Sequence, residues 1–228
     1  MTDSSAALEP ERAAVADACR RLGAERLLIG TAGNVSVRVE DRVAITATGA
    51  VLAELTPEQV TVVDLDGELV AGTLRPTSEL DLHLGVYRRY GTGAVVHTHA
   101  PMATALSLVL DELPCVHYQL LALGGTVRVA PYATFGTPEL AESVLAALEG
   151  RSAALMANHG AVTHAPTLEK AVEHALLLEW ACGVYQHAAV LGTPRVLDER
   201  RQLEVIEAAI ARDYGTTHPV PPAQEEKR

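Results

Sequence analysis

Basic residues are scarce in this chain of 228 residues, which carries 18 lysines and arginines against 29 aspartates and glutamates. The resulting formal net charge of −11 argues against nucleic acid as a partner, because binding a phosphate backbone requires clustered positive side chains. It does not exclude a small anionic substrate, since a few backbone N–H groups or one metal ion can hold a single phosphate group.

Cysteine is also rare, and the three that are present, Cys19, Cys115 and Cys182, are widely spaced with no CxxC pair. An odd number at such spacing argues against a disulfide framework and favours reduced thiols. The first ten residues are polar and acidic, unlike a signal peptide, and no apolar run approaches the ~20 residues that span a bilayer. We therefore expect a cytoplasmic protein with no membrane partner.

Aromatic residues make up only 4% of the chain, although apolar residues make up 48%. The core must therefore be built mainly from alanine, valine and leucine. The length suits one domain, and neither a repeat nor a low-complexity linker divides the chain. We expect a single domain at residues 9–215 between flexible tails at residues 1–8 and 216–228.

Hydrophobic periodicity and turn residues predict helices interleaved with short strands. The expected helices lie at residues 9–29, 79–90, 101–109, 138–150, 168–191 and 197–212. The expected strands lie at residues 34–39, 43–46, 60–65, 68–71, 94–99, 126–130, 153–157 and 161–163, with an extended piece at 115–118. Thr77 or Ser78 is expected to cap the second helix, and Thr137 and Thr167 the fourth and fifth.

Two histidines separated by one residue end the apolar run at residues 94–96. Because side chains alternate along a strand, His97 and His99 point to the same side of the sheet and can bind one cation. The simpler interpretation is that two polar residues end a core strand. A third histidine, His159, follows another apolar strand and precedes a glycine.

Three imidazole ligands that leave a fourth position open are typical of a catalytic metal site rather than a structural one. Glu79 could supply a displaceable fourth ligand or a base. It could also be a surface acid in the first turn of a helix, where the helix dipole favours a carboxylate. The other histidines, including His83, His174 and His187 in predicted helices, fit surface or packing positions better.

Small polar residues and glycines stand at the ends of the first two strands and before the second helix. The pairs Gly33–Asn34 and Thr48–Gly49 are suited to loops in which a ligand approaches the backbone, although ordinary turns use the same residues. Thr77 and Ser78 add two hydroxyl groups to a helix N-terminus with unpaired N–H groups. This arrangement favours an anion site.

Taken together, these motifs resemble the class II aldolase/adducin family over nearly the whole chain, from residue 11 to residue 215. Any one motif is weak, but all seven in this order are specific for the family. The motifs are residues 33–38 (GNVSVR), 45–49 (ITATG), 77–79 (TSE), 95–100 (VVHTHA), 117–118 (HY), 131–137 (PYATFGT) and 158–160 (NHG). The HY and PYATFGT motifs point to the fuculose-phosphate branch of the family.

The resemblance implies an α/β fold of three layers, with a central, mostly antiparallel sheet between helices. It implies a homotetramer with fourfold symmetry and active sites at subunit interfaces. It also implies zinc at His97, His99 and His159, with Glu79 joining in the absence of substrate, although such a site accepts other divalent ions. The implied phosphate site comprises Gly33, Asn34, Thr48, Gly49, Thr77 and Ser78.

The implied reaction is the reversible cleavage of a ketose 1-phosphate, such as L-fuculose 1-phosphate, to dihydroxyacetone phosphate and an aldehyde such as L-lactaldehyde. In this reaction Glu79 would move the proton on the carbon beside the carbonyl. Tyr118 of a neighbouring subunit would exchange a proton with the aldehyde oxygen, and Tyr214 matches a second tyrosine near the family's C-terminus. Phe135 would line the aldehyde pocket. From the residues alone, packing is the simpler role for Tyr118 and Phe135.

Three departures from the family pattern concern the substrate rather than the reaction. Thr77 stands where serine is common, Asn158 replaces a histidine that is not a ligand, and residues 124–129 are slightly shortened. The alternatives are a sugar-phosphate 4-epimerase or a related lyase of the same fold, and a non-catalytic adducin-like oligomerisation module. The epimerase branch tends to carry aspartate at the position of Glu79, and adducin-like modules have lost the metal ligands that this chain retains.

Overall fold

The computed structural model describes residues 7–217. The parts of the predicted tails at residues 1–6 and 218–228 lie outside this range. Leu8 was expected in the N-terminal tail, but its side chain is buried in the core just before the first helix.

Helices and strands are interleaved along the chain, with the first four strands following one another before the second α-helix. The helices are α1 (Glu9–Ala24), α2 (Leu80–Tyr90), α3 (Pro101–Ser107), α4 (Pro138–Ala147), α5 (Leu168–Leu191) and α6 (Glu199–Ala211). The strands are β1 (Asn34–Val39), β2 (Arg42–Thr46), β3 (Val60–Asp64), β4 (Leu69–Ala71), β5 (Ala94–Thr98), β6 (Glu112–Leu113), β7 (Val127–Ala130), β8 (Ala153–Met156) and β9 (Gly160–Ala165). Short 3-10 helices lie at Leu52–Glu54, Pro57–Gln59 and Tyr118–Leu123.

The nine strands form one sheet in the order β4-β3-β2-β1-β5-β9-β8-β7-β6. All neighbouring pairs are antiparallel except β7 and β8, which run parallel. One apolar cluster joins the sheet to α1, α3 and α5, and a second joins its other face to α2 and α4. This arrangement confirms the predicted three-layer fold with a mostly antiparallel sheet.

Strand alternation decides which helical layer the site residues face. In β5, Ala94 and Val96 belong to the cluster with α5, whereas Val95 belongs to the cluster with α2. His97 lies two residues beyond Val95, so its side chain lies on the α2 face of the sheet. Asn34 of β1 is paired with His97 across the two strands, so the start of β1 lies beside the end of β5.

The first helix ends at Ala24, five residues earlier than predicted. The chain turns at Arg26, which adopts a left-handed conformation with φ of 62°. The Arg26 N–H donates to Gly23 O and the Leu27 N–H donates to Leu22 O, which is the hydrogen-bond pattern of a Schellman motif. Glycine normally marks this position, so an arginine there gave no stop signal.

Two other local predictions were wrong. The N-cap of α2 is Glu79 rather than Thr77 or Ser78, and no side chain accepts a capping hydrogen bond there. Residues 115–118 were expected to be extended throughout, but a 3-10 helix begins at Tyr118 because His117 Nδ1 accepts a hydrogen bond from Gln119 N–H. The predicted Thr137 and Thr167 caps are confirmed.

The three cysteines are free and buried. No helix within residues 7–217 is long and apolar enough to cross a membrane.

Glu179 of α5 anchors the start of α3, the helix that follows the His97/His99 segment. Its two carboxylate oxygens accept hydrogen bonds from Met102 N–H and Ala103 N–H, both at 2.9 Å. A carboxylate at a helix N-terminus pairs with otherwise unsatisfied N–H groups and with the helix dipole.

We expect the Glu179→Gln variant to lower the free energy of unfolding by about 2 kcal/mol, because one of two charge-assisted hydrogen bonds is lost and the other loses its charge. Urea denaturation at a fixed protein concentration measures this. Glu173→Gln, an exposed position on the same helix, is the matched control and should change stability by less than about 0.5 kcal/mol. Equal losses in the two variants would contradict the anchoring role.

Candidate active site

Three histidines from two neighbouring strand ends converge on one point. His97 is the second-last residue of β5, and His99 directly follows the strand. His159 lies in the turn between β8 and β9. Strands β5 and β9 are antiparallel neighbours, with Thr98 opposite Ala161, so the turn lies beside the end of β5. Each histidine offers one ring nitrogen, and these nitrogens all lie within 4.8 Å of one another.

The turn that carries His159 depends on the residues on either side of it. Asn158 adopts a left-handed conformation with φ of 57°, which asparagine tolerates better than most residues. A Cβ atom on Gly160 would lie 2.3 Å from Thr98 O, so only glycine allows the two strands to approach this closely. Together these residues turn the chain tightly enough to bring His159 back to His97 and His99.

Hydrogen bonding fixes which nitrogen of His97 faces the cluster. The Nδ1 atom lies 2.9 Å from Ala161 O, and a carbonyl oxygen can only accept, so Nδ1 carries the proton. The Nε2 atom, which is the nitrogen left to bind a metal ion, then faces His99 Nε2 at 3.0 Å. A histidine that binds a metal ion through one ring nitrogen is commonly oriented by a hydrogen bond from its other ring N–H to a backbone carbonyl.

Glu79 completes the cluster from the N-terminus of α2. Its Oε2 atom lies 3.2 Å from His97 Nε2, and its Oε1 atom lies 3.5 Å from His159 Nε2. Asn34 Nδ2 donates a hydrogen bond to Oε2 at 2.8 Å. The carboxylate is buried, and within the described residues Oε1 has no hydrogen-bond partner. A buried carboxylate oxygen without a partner is costly unless a cation or a ligand pairs with it.

The protonation states suit a divalent cation. Burial disfavours the ionised carboxylate of Glu79, but the neighbouring His97 and the Asn34 amide outweigh it and hold the pKa below its usual value. Burial, reinforced by the neighbouring histidines, lowers the pKa of His99 to about 3 and also lowers that of His159. His99 and His159 therefore present neutral nitrogens with free lone pairs, next to a negative charge. Three imidazole nitrogens and a carboxylate form a donor set that zinc favours.

His83 belongs to the same constellation, although the sequence indicated a surface or packing position for it. Its ring is fully buried and contacts Ser36 Oγ through Nδ1 at 2.7 Å and Asn34 Oδ1 through Nε2. Burial lowers the pKa of His83 to about 3, so the ring is neutral. His83 lies four residues after Glu79, which places both on one face of α2. This spacing was the feature of the sequence that could have identified His83 as part of the site.

A cavity of about 550 Å³ opens beside the cluster. Glu79, His99 and His159 line it, together with all six residues of the predicted anion site: Gly33, Asn34, Thr48, Gly49, Thr77 and Ser78. In the described part of the chain, neither lysine nor arginine lines the cavity. An anion would therefore be bound by hydroxyl groups, an amide and backbone N–H groups rather than by side-chain cations.

Gly33 is needed where the cavity wall meets the histidine strand. Its φ is +100°, and a Cβ atom would lie 2.9 Å from His97 O, so any larger residue would push β1 away from β5.

Aromatic residues stand at the mouth of the same cavity. Phe135, which was predicted to line an aldehyde pocket, lines the mouth of this cavity with 67% of its surface exposed. Tyr132, which the sequence did not single out, lies beside it with 63% exposed. Both belong to the loop between β7 and α4, whose Gly136 packs against Ser78 O. The loop therefore links the anion side of the cavity to its aromatic side.

The predicted tyrosines Tyr118 and Tyr214 lie outside this cavity. Their hydroxyl oxygens are 3.2 Å apart, and both residues line a separate apolar cavity between α6 and the segment at residues 116–118. Tyr118 is 39% exposed and Tyr214 is 64% exposed. Within a single chain, these tyrosines do not contribute to the histidine cluster.

The sequence of the chain is similar to one family of known proteins. Residues 13–186 match the sequence profile described as the Class II Aldolase and Adducin N-terminal domain. The 5-deoxy-D-ribulose 1-phosphate aldolase of Bacillus thuringiensis serovar kurstaki is 37% identical over 195 residues, which are 84% of this chain and 92% of the relative. The L-fuculose phosphate aldolase of Escherichia coli K12 is 39% identical over 182 residues, which are 79% of this chain and 84% of the relative.

The fold is similar to solved structures of the same group. An L-fuculose 1-phosphate aldolase superposes with a TM-score of 0.83 at 34% sequence identity, covering 91% of this chain and 97% of that one. Sequence profile, relatives and fold therefore agree.

Proposed function

Because the chain belongs to the class II aldolase and adducin family, we propose that it cleaves a ketose 1-phosphate reversibly to dihydroxyacetone phosphate and an aldehyde that ends in a methyl group. Members of this family with aldolase activity are lyases that depend on a divalent metal ion. The proposed metal is zinc, held by His97, His99 and His159, with Glu79 as a displaceable fourth ligand.

The observation that carries the proposal is the buried carboxylate of Glu79, whose Oε1 atom has no hydrogen-bond partner within residues 7–217. It lies beside three converging imidazoles and a cavity lined by hydroxyl and amide groups that can bind an anion. When bound, the metal ion would act as a Lewis acid that stabilises the negative charge left on the ketone oxygen after bond cleavage. Glu79 would hold the proton that moves to and from the carbon beside the carbonyl. Hydroxyl and amide groups would hold the phosphate, so that the reacting carbon lies beside Glu79.

Two relatives support a methyl-terminated aldehyde. By name, one acts on L-fuculose phosphate and the other on 5-deoxy-D-ribulose 1-phosphate. Cleavage of these sugars between their third and fourth carbons yields lactaldehyde and acetaldehyde, both of which end in a methyl group. The rings of Phe135 and Tyr132 at the cavity mouth offer the apolar surface that such an end requires.

The proposal is tested by following the release of dihydroxyacetone phosphate in a coupled assay. L-Fuculose 1-phosphate and 5-deoxy-D-ribulose 1-phosphate are each incubated with the protein, with and without a chelator. We expect release that the chelator abolishes, and the ratio of kcat/KM values ranks the two sugars. No release from either sugar by the metal-loaded protein would overturn the proposal and favour an epimerase or another lyase.

Ser78 provides a direct test of the phosphate site, because its side chain is exposed to the cavity and caps no helix. We expect Ser78→Ala to lower kcat/KM by about 10-fold, mainly through KM, because one charge-assisted hydrogen bond to the phosphate is lost. Steady-state kinetics with L-fuculose 1-phosphate measure this. Ser107→Ala is the control, since its hydroxyl only donates to Thr104 O at 2.8 Å. A fall in kcat with unchanged KM would contradict the assignment.

A homotetramer with active sites between subunits is also part of the proposal. In the single chain no residue of α6 is buried, and Leu203, Ile206 and Ile210 of this helix are exposed. Apolar surface of this kind is usually covered in an assembly. Tyr118 and Tyr214 line the neighbouring cavities, so a subunit packed there could carry these tyrosines towards an adjacent active site.

If Tyr118 exchanges a proton with the aldehyde oxygen, Tyr118→Phe should lower kcat by about 100-fold and leave the oligomeric state unchanged. Steady-state kinetics and sedimentation velocity measure the two quantities. Tyr132→Phe, at the mouth of the cavity in the same chain, is the comparison and should lower kcat by less than about 3-fold. Unchanged turnover in Tyr118→Phe would contradict the proposed proton exchange by Tyr118. A monomer in solution would contradict the proposed active site between subunits.

A further inference from the structure

A chain of hydrogen bonds runs from the interior of α2 to the candidate base. Tyr87 Oη lies 2.6 Å from Ser36 Oγ, which lies 2.7 Å from His83 Nδ1. His83 Nε2 contacts Asn34 Oδ1, and Asn34 Nδ2 lies 2.8 Å from Glu79 Oε2. Tyr87, Ser36 and His83 are fully buried.

The orientation of the Asn34 amide sets the direction of every hydrogen bond in this series. Its NH₂ group faces Glu79 Oε2 and its oxygen, which can only accept, faces His83 Nε2. His83 Nε2 must then carry a proton in order to donate to that oxygen. In a neutral ring Nδ1 accepts, so Ser36 donates to His83 and Tyr87 donates to Ser36. In this arrangement each polar side-chain atom between Tyr87 Oη and Glu79 Oε2 has a partner.

From this arrangement we infer that His83 is a positioning residue, which holds the Asn34 amide in the orientation that fixes Glu79 for proton transfer. The inference rests on the proposed function, since it assigns the support of the same base. Without the His83 donor, Asn34 Oδ1 loses its hydrogen bond, and the amide is no longer held with its NH₂ group against Glu79 Oε2. With the donor, Oε2 is anchored and Oε1 stays free.

The first experiment compares His83→Leu with His83→Gln. Leucine removes the donor to Asn34, whereas glutamine can place an amide N–H where His83 Nε2 lies. We expect kcat for L-fuculose 1-phosphate to fall about 10- to 100-fold in His83→Leu, with KM and bound metal unchanged, and to recover largely in His83→Gln. His164→Leu is the matched control, because its ring is likewise hydrogen-bonded, to Arg151 O at 3.0 Å, but does not reach the cavity.

A double-mutant cycle tests whether His83 acts through Asn34. Asn34→Asp keeps the acceptor for His83 and removes the donor to Glu79, so His83→Leu in that background should lower kcat by less than about 3-fold. The inference would be overturned by additive losses. It would also be overturned by a His83→Gln variant as slow as His83→Leu, or by a change confined to KM.

A third measurement does not depend on activity. In protein labelled with nitrogen-15 at histidine, the imidazole resonances of His83 should show a proton on Nε2 and none on Nδ1 near neutral pH. The opposite tautomer would overturn the inference, because Asn34 Oδ1 would then lack its donor. If no ketose 1-phosphate is cleaved while His83 shows the Nε2–H tautomer, the proposed function fails and the orienting hydrogen bond stands.

Discussion

The His97→Ala variant is expected to purify without bound metal and to lose at least about 10³-fold in kcat/KM for L-fuculose 1-phosphate. His97 is fully buried, and Ala161 O holds its Nδ1 proton, so its Nε2 atom is fixed towards His99 and Glu79. Alanine leaves two histidines and the carboxylate, too few nitrogen ligands for a tight zinc site. A Lewis acid contributes several kcal/mol to charge stabilisation, which corresponds to a loss of this size.

Elemental analysis after dialysis gives the metal content, and the coupled assay gives the turnover. His187→Ala is the matched control, because His187 is exposed on α5 and its ring is hydrogen-bonded to Gly183 O of its own helix. It should retain the metal and at least half of the activity. If His97→Ala instead kept full metal content and turnover, the metal assignment would be wrong.

The second large effect is expected at Glu79, where Glu79→Gln should bind metal yet lower kcat by about 10³-fold. Glutamine keeps the shape of the side chain and an oxygen for a cation, but it cannot accept a proton. The loss of a positioned general base lowers kcat by about this factor. The three histidines are untouched, so metal content should remain close to that of the unmodified protein.

Exchange of a substrate proton with solvent tests whether Glu79 acts as the general base. When dihydroxyacetone phosphate is incubated alone with the enzyme in heavy water, Glu79 should catalyse deuterium uptake at the carbon beside the carbonyl, and Glu79→Gln should not. Asp81→Asn is the control, because Asp81 is an exposed acid in the first turn of the same helix. Rapid exchange in Glu79→Gln would assign the proton transfer to another group.

The two variants distinguish loss of the cation from loss of the base. His97→Ala should lose metal, cleavage and exchange together. Glu79→Gln should lose cleavage and exchange while keeping metal. If Glu79→Gln also lost its metal, Glu79 would be needed chiefly as a metal ligand.

The sequence predicted the positions of most helices and strands well, because their signals are local, whereas the three-layer fold was implied by the family resemblance. The pair His97 and His99 at the end of an apolar run located the centre of the site, and Thr167 located the start of α5 to the residue. The first helix was overestimated because the left-handed turn at Arg26 uses a residue that rarely marks a helix end.

The convergence of the three histidines depends on strand order, which local sequence patterns do not encode. His159 reaches His97 only because β9 pairs with β5, and strand order is a property of the whole sheet. His83 was assigned to surface or packing for a related reason. Its partners Ser36 and Asn34 lie 47 and 49 residues away in the sequence, on a strand whose polar side chains face α2.

The cavity without lysine or arginine has a consequence for how substrate arrives. The chain carries a formal net charge of −11, and a sugar phosphate is itself an anion. The net charge of the protein therefore opposes the approach of the substrate from a distance, and attraction by the proposed metal ion and by the hydroxyl and N–H groups acts at short range. Mobile ions screen such repulsion over about 10 Å at 0.1 M ionic strength. Added salt should thus quicken encounter here, the reverse of the behaviour of enzymes that guide anions with positive charge.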